Sequence, residues 1–409
     1  MMTKQQVASK WLARWFTRNQ HAGEKKSHPV GGGELSTKSA FASLYAMGQV
    51  QNTPTHFAAM ASEGYGRNPI VYRCVRMISE AAASVPWVGY QGAQEASAHE
   101  GMTLVERPNG QETRQEFLEK LITSLLLSGN AFVEHVEPVS GRHRFFVLRS
   151  DRVTIDTDMA GWPTSVCVSH EGKKRTLMLG DVGSIGEALH LKLIDPLSDI
   201  HGQSPLQAAV AALDVHNSAA LWNKSLLDNA ARPSGALIYA PADNSSLTPE
   251  QFEVLKGELD ASFSGSKNAG RPLLLEGGLD WKAMGMTPSD MDFVETKNTA
   301  SREIALAFGV PPMLLGIPGD NTYANYQEAQ RAFYRLTVLP LLRRVVASFT
   351  QWLEPVNGAG FRYDIDTDQI EGLAYERDSL WKRLEEASFL TRAEKREAVG
   401  YSPLPEEGV

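Results

Sequence analysis

The densest group of side chains that could do chemistry lies at 190–201. Two histidines and two aspartates fall within these twelve residues, namely His190, Asp195, Asp199 and His201. Imidazole and carboxylate groups bind divalent metals and transfer protons, so the group is compatible with a metal-dependent hydrolase. Its spacing is not that of a helical metal motif, because His190 alternates with Leu189 and Leu191 as on a strand. The hydrolase therefore stays an alternative interpretation.

The sequence contains no other recognisable catalytic pattern. The serines at Ser264-Gly265-Ser266 do not form a Gly-x-Ser-x-Gly nucleophile elbow. Neither a GxxxxGK[ST] phosphate loop nor a GxGxxG dinucleotide fingerprint occurs. Cys74 and Cys167 both fall in apolar patterns typical of buried structural positions. We therefore expect no cofactor, no metal and no catalytic residue of these classes.

The most informative polar segment is the loop Leu315–Tyr323. Its two glycines, one proline and one asparagine make helix or strand unfavourable, and it separates two predicted long helices, 288–308 and 324–353. Such a loop is either a gate or contact segment or a plain connection between helices, and the residues alone leave both open. Pro340 lies inside the second helix and predicts a kink near Arg335–Leu339.

The helices and strands that must position these residues are predicted to form an α+β fold. Asn68-Pro69 starts a helix over 70–84, and Thr113 with Glu116 forms a capping box at the start of the next helix. Short strands then follow one another closely, which favours antiparallel pairing. Predicted strands lie at 85–90, 131–137, 145–148, 153–157, 165–168 and 189–193.

The second half of the chain is predicted to be more helical. An alanine-rich helix runs over 206–229, and a smaller module follows with strands at 236–239, 272–275 and 279–283 and a helix at 249–263. Two short helical patterns end the chain at 372–387 and 391–399, the second with Thr391 and Glu394 as a capping box.

Composition and charge narrow the class of protein. The 409 residues are 42% hydrophobic and 22% charged, as in packed globular proteins, and two cysteines cannot cross-link a fold of this size. The net charge is −8, which argues against a protein that grips nucleic acid with a basic face. Residues 1–40 differ, because seven Lys and Arg against two Glu give a local excess of +5. No run approaches the apolar length of a membrane span, so we expect no membrane partner.

Several short motifs occur in an order that resembles one protein family. They are Asn68-Pro69-Ile70-Val71-Tyr72-Arg73-Cys74-Val75, Arg107-Pro108-Asn109, Leu127-Ser128-Gly129-Asn130-Ala131-Phe132, His201-Gly202-Gln203-Ser204-Pro205-Leu206, Gly309-Val310-Pro311-Pro312 to Leu315-Gly316, Asn321-Thr322-Tyr323 before the Pro340 helix, and Phe389-Leu390-Thr391-Arg392-Ala393-Glu394-Lys395-Arg396. Each is weak alone, but their order over about 55–400 strongly resembles the HK97-type portal proteins of tailed bacteriophages and their prophage or gene-transfer-agent relatives.

The resemblance implies a portal fold with named parts. It assigns 1–54 to a flexible arm, 55–204 to the first part of an α/β wing and 326–370 to its second part with the long kinked helix. It assigns 205–234 and 287–312 to two stem helices, 235–286 to a small α/β clip, 313–325 to a tunnel loop and 371–409 to a helical crown and tail. It implies that four loop residues line a DNA channel: Asp320, Asn321, Thr322 and Tyr323.

The function implied by the resemblance is not enzymatic. Such proteins form a ring, a dodecamer in the particle, at one capsid vertex, through which double-stranded DNA is packaged, retained and ejected. The implied partners are further copies of the chain, double-stranded DNA, the terminase large subunit, the major capsid protein and a head–tail adaptor. The implied location is the virion, with the host cytoplasm during assembly. A soluble hydrolase and a monomeric helical adaptor are the competing interpretations.

Overall fold

A computed structural model provides the structure of the chain. It describes residues 53–92, 94–137, 143–181, 183–228, 235–239, 248, 253–254, 279–283, 293–319 and 323–399, and all structural statements below concern these residues. The predicted strand at 272–275 lies outside this set, as does nearly all of the predicted helix at 249–263.

The described chain is an α+β protein, as predicted, and begins with a helical turn at Phe57–Ala59 that continues as a π-helix at Met60–Tyr65. The first half of the described chain contains, in order, α1 (Pro69–Ser84), β1 (Trp87–Gln91), β2 (Gln94–Glu95), α2 (Glu100–Glu106), α3 (Arg114–Ser128), β3 (Asn130–Val136), β4 (Arg144–Leu148), β5 (Val153–Thr157), β6 (Pro163–His170), β7 (Lys173–Met178) and β8 (Ala188–Lys192). The remaining elements are α4 (Pro205–Ala208), α5 (Val210–Asp228), β9 (Gly235–Tyr239), β10 (Leu279–Ala283), α6 (Phe293–Phe308), α7 (Tyr323–Phe333), a π-helix (Tyr334–Val338), α8 (Leu339–Asn357), β11 (Phe361–Ile365), α9 (Ala374–Glu386) and α10 (Arg392–Ala398).

The main core forms where α1, α3 and α8 pack together. Ile78, Leu121 and Leu342 are fully buried there, because each helix turns one apolar face inward. The helix starts follow the sequence: Asn68 accepts the amide hydrogens of Ile70 and Val71, and Thr113 with Glu116 forms the predicted capping box.

The strands form separate antiparallel sheets. Their orders are β11-β1-β2, β4-β3-β8, β5-β6-β7 and β10-β9. In the first sheet Trp87 pairs with Ile365, so a late strand completes a sheet that begins early in the chain. A second apolar cluster, which includes Phe132, Val166 and Leu177, forms between the second and third sheets.

Several predicted elements need correction. The helix predicted over 206–229 is interrupted at Ala209, where the backbone leaves helical geometry between α4 and α5. Strands β7 and β11 were not predicted at all. The long helix extends beyond its predicted end at Leu353, to Asn357, and it changes to π geometry midway. No described helix is long and apolar enough to cross a membrane.

Candidate functional site

Two long helices, α5 and α6, form the centre of the candidate site and pack against each other. Their buried positions are rich in small residues, including Ala212, Ala219, Ala300 and Ala305. Small side chains allow helix axes to approach closely. Large apolar side chains remain exposed on the same two helices: Val215, Leu221, Val294 and Leu306. One face of the pair is therefore packed within the chain, and another presents apolar surface outward.

A polar junction formed by Asn68, His216 and Asn217 fixes α5 against the start of α1. The Asn68 side-chain oxygen caps α1, which leaves its amide nitrogen to donate to His216 Nδ1 at 3.0 Å and to Asn217 Oδ1 at 2.9 Å. Because that nitrogen can only donate, His216 Nδ1 must accept, and the imidazole is neutral. Burial is the main cause that lowers the His216 pKa, and nearby Lys297 acts in the same direction.

A backbone contact between Gly129 and Gly202 brings together two of the sequence motifs. A Cβ atom on Gly202 would lie 2.2 Å from the Gly129 carbonyl oxygen, and Gly129 itself has φ of +74°. Asn130 completes the contact, since its side-chain oxygen accepts the Gly202 amide at 2.8 Å and its amide nitrogen donates to the Gly202 carbonyl at 3.1 Å. These residues fix where the chain enters α4 and α5.

His190 is part of this same contact rather than of a metal centre. Its Nε2 lies 3.0 Å from Asn130 Oδ1, and its ring stacks on Phe132 with centroids 4.5 Å apart. Since Asn130 Oδ1 can only accept, His190 Nε2 carries the hydrogen. Burial, and to a lesser degree Lys192 and His201, lowers the His190 pKa to about 4. The imidazole is therefore neutral at pH 7 and serves in packing and hydrogen bonding.

The other members of the group at 190–201 have local structural contacts. Asp195 accepts the Leu197 amide at 2.8 Å, and the His201 amide donates to Ser198 Oγ at 2.9 Å. Asp199 accepts from Lys192 through its backbone carbonyl. Within the described ranges, no group of three or more His, Cys, Asp or Glu side chains is placed to hold a metal ion. Nothing in this geometry favours the hydrolase.

The loop that leaves α6 is held at its start. Gly309 adopts φ of +67°, and its carbonyl accepts from Thr337 Oγ1 at 2.6 Å. Ile317 is buried, and Arg302 of α6 donates to the Pro318 carbonyl. Of the four predicted channel residues, Asp320, Asn321 and Thr322 lie outside the described residues. Tyr323 is the first residue of α7, and its side chain lies outside the described set. The first part of the loop, from Gly309 to Pro318, is therefore fixed by contacts with α6 and the π-helical segment.

Pro340 lies at the first turn of α8, directly after the π-helical segment Tyr334–Val338. Proline has no amide hydrogen and its ring crowds the preceding turn, so a change in the helical hydrogen-bond pattern is favoured there. π-Helical turns are a recognised cause of helix bending. The kink predicted from Pro340 near Arg335–Leu339 stays a prediction.

Sequence reasoning missed the positioning role of Asn68, Asn130 and His216. Asn68 was identified only as a helix cap, and the two others lie inside regular elements. For His216 the available signal was its helical spacing from Ala212, Leu213 and Ala219, which places it on the buried face of α5. Asn130 and Asn68 carry no comparable pattern in their neighbouring residues. A buried amide or imidazole requires a hydrogen-bond partner from elsewhere in the chain.

Comparison with known proteins agrees with this architecture. Residues 69–400 match the family model described as "Phage portal protein". The portal protein of Enterobacteria phage HK97 is 24% identical over 347 residues, which cover 82% of this chain and 79% of that protein. Two solved structures of the neck of a gene transfer agent particle are more similar. A chain of the empty particle's neck is 46% identical with a TM-score of 0.69, and covers 90% of this chain and 100% of that one.

The second neck structure is that of the native particle, computed with C12 symmetry. Its chain is 47% identical with a TM-score of 0.66, and covers 89% of this chain and 99% of that one. The family match spans most of the described residues and includes the helix pair, the anchored loop and, from the polar junction, His216 and Asn217. The chain therefore belongs to the phage portal protein family, of the HK97 type.

Proposed function

We propose that this protein forms the portal ring at one vertex of a virus-like particle, where double-stranded DNA enters, is retained and leaves. The observation that carries the proposal is the likeness, over nine-tenths of the chain, to a neck chain of a gene transfer agent particle. The C12 symmetry of the native neck structure supports twelve copies as the copy number. The protein is a structural component of the particle, located at the portal vertex.

The helix pair α5 and α6 supports the ring. Apolar side chains that are exposed in one chain, such as Leu221 and Leu306, become buried when neighbouring copies place their helices side by side. We assign 205–234 and 287–312 to the stem on this basis. The proposed wing comprises 55–204 and 326–370, the clip 235–286, the tunnel loop 313–325, the crown 371–409 and the arm 1–54.

Charge supports passage of DNA through the ring without tight binding. The chain carries a net charge of −8, so twelve copies repel phosphates rather than neutralise them. We propose that Asp320, Asn321, Thr322 and Tyr323 line the channel and touch DNA independently of its sequence. The terminase large subunit, the major capsid protein and a head–tail adaptor are the proposed protein partners.

The ring is tested by native mass spectrometry and negative-stain imaging of one purified sample. We expect a species near twelve times 44.9 kDa with a central hole. A species that stays monomeric in the presence of assembling capsid protein would contradict the proposal.

The channel role is tested by replacing Asp320–Tyr323 with Gly-Gly. We expect rings of normal mass but reduced packaging or retention of DNA. Replacing Ile194–Leu197, in the exposed loop after β8, with Gly-Gly is the control, because it shortens a loop outside the proposed channel by the same two residues and leaves the stem untouched. Normal packaging and genome retention by the 320–323 variant would remove these residues from the channel.

A further inference from the structure

The tip of the β5–β6 hairpin presents two apolar side chains to solvent. Met159 is fully exposed and Trp162 is 64% exposed, although such residues are usually buried. The tip is held in one conformation, because Asp158 Oδ1 accepts the amides of Ala160 at 2.9 Å and Trp162 at 2.8 Å. A rigid turn that carries methionine and tryptophan has the composition of an interface anchor.

A basic groove lies at the other end of the same sheet. Its volume is about 730 Å³, and its lining contains five Lys and Arg side chains and no carboxylate. Its floor is formed by Val147, Leu148 and Val168, and Val168 belongs to the second apolar cluster. Its rim is formed by the basic side chains. The lining residues are Val147, Leu148, Arg149, Arg152, Val168, His170, Lys173, Lys174 and Arg175.

The rim charges are only partly neutralised within the chain. Arg175 pairs with buried Glu134, and Arg149 pairs with Asp151 at 2.7 Å. Arg152, Lys173 and Lys174 form no ion pair with the described residues. The groove therefore offers an apolar floor and unpaired positive charge, and it fits an occupant that combines apolar side chains with carboxylates.

The hairpin tip has that chemistry. Asp156 and Asp158 lie just before Met159 and Trp162 in the chain, and all four side chains are exposed. A groove of this volume is within the range of about 300–1,000 Å³ that accepts compact ligands, so it has room for the two apolar side chains. A DNA duplex is too wide for it and carries no apolar side chain for its floor.

The two features cannot meet within one chain. They lie at opposite ends of β6, whose eight residues span roughly 25 Å at about 3.3 Å per residue. A surface that fits a different surface of an identical molecule makes a head-to-tail contact, and such contacts form a closed ring when the rotation between neighbours closes. We propose that the hairpin tip of one protomer inserts Met159 and Trp162 into the basic groove of its neighbour. This inference rests on the ring proposed above.

Disulfide cross-linking tests the contact directly. Met159→Cys and Lys173→Cys are combined in a Cys167→Ser background. Cys74 is left in place, because it is fully buried and burial raises its pKa to about 12. A disulfide requires Cα atoms within about 7 Å, so the engineered pair can only join different protomers. We expect a ladder of linked oligomers on a non-reducing gel.

The control replaces Lys173→Cys with Thr176→Cys. Thr176 is exposed on the same strand but pairs with Cys167, on the opposite face from the groove. We expect little or no ladder from it. Rings without a ladder from the Met159–Lys173 pair would refute this contact and leave the ring intact. A chain that forms neither rings nor ladders would refute both proposals, and equal ladders from both pairs would show random collision and refute the contact.

A second variant tests the energetics without cysteines. Trp162→Ala is expected to weaken association of protomers at least about tenfold, as for a buried aromatic anchor. Leu197→Ala, at a side chain 96% exposed in the loop after β8, is the control and is expected to leave association unchanged.

A double variant of the groove, Lys173→Glu with Lys174→Glu, tests the occupant. If it leaves rings intact but lowers binding of a short DNA duplex, nucleic acid occupies the groove and the contact is wrong.

Discussion

Asn68 is expected to contribute to stability through two separable roles. Its oxygen caps α1, and its amide nitrogen holds His216 and Asn217 of α5. Loss of a cap costs about 1 kcal/mol, and each buried hydrogen bond contributes about 1 kcal/mol net. Asn68→Ala removes both and is expected to lower the free energy of unfolding by about 3 kcal/mol. Asn68→Ser keeps a capping oxygen, but its shorter side chain cannot reach α5. We therefore expect it to lower the free energy of unfolding by about 2 kcal/mol.

Urea unfolding followed by tryptophan fluorescence measures these differences. Thr113→Ala is the matched control, because Thr113 caps α3 through Glu116 and has no bond to α5. Thr113→Ala is expected to lower the free energy of unfolding by about 1 kcal/mol. If Asn68→Ser is as stable as the unchanged protein, the polar junction contributes nothing and the reasoning is wrong.

The junction also predicts a dependence on pH. His216 accepts from Asn68 only when neutral, and its folded pKa is lowered. A histidine whose pKa is lowered on folding takes up protons more readily in the unfolded state. Its contribution is therefore present above the unfolded pKa of about 6.5 and is lost as the pH falls. The difference between Asn68→Ser and the unchanged protein should shrink below that pH; an unchanged difference would exclude His216 as the partner.

Three further predictions follow from the same structure. Gly202→Ala places a Cβ atom 2.2 Å from the Gly129 carbonyl oxygen, so we expect the free energy of unfolding to fall by several kcal/mol, or soluble protein to be lost. Gly110→Ala, where a Cβ meets no neighbour and φ is not positive, serves as the control in the same urea titration. His190→Gln keeps a donor towards Asn130 but does not titrate, so it should reduce the loss of unfolding free energy between pH 6.5 and about 4; an unchanged pH slope would count against this role. Pro340→Ala should alter ring geometry in negative-stain images more than monomer stability, and a loss of soluble monomer without a ring defect would contradict it.

Elements with strong local signals were predicted well from the sequence. The start of α1 follows from Asn68-Pro69, and the starts of α3 and α10 follow from their capping boxes, because each depends on residues three or four apart. Elements determined by distant partners were missed. Strand β11 alternates Phe361, Tyr363 and Ile365 over only five residues, and its partner β1 lies far earlier in the chain. The basic strand β7 also shows no apolar alternation, because four of its six residues are Lys, Arg or Thr.

The order of the short motifs, rather than their individual residues, led to the portal family. The structure gives a physical reason for that order. Asn68 reaches α5, Asn130 reaches Gly202, and Gly309 accepts from Thr337, so each of these motifs supplies one side of a polar contact between elements distant in sequence. A buried polar group needs its partner at a fixed place, whereas an apolar core tolerates exchange of its side chains. Short polar motifs in a fixed order are thus a sign of how elements are joined, and a search for catalytic residues, as at His201, will misread them.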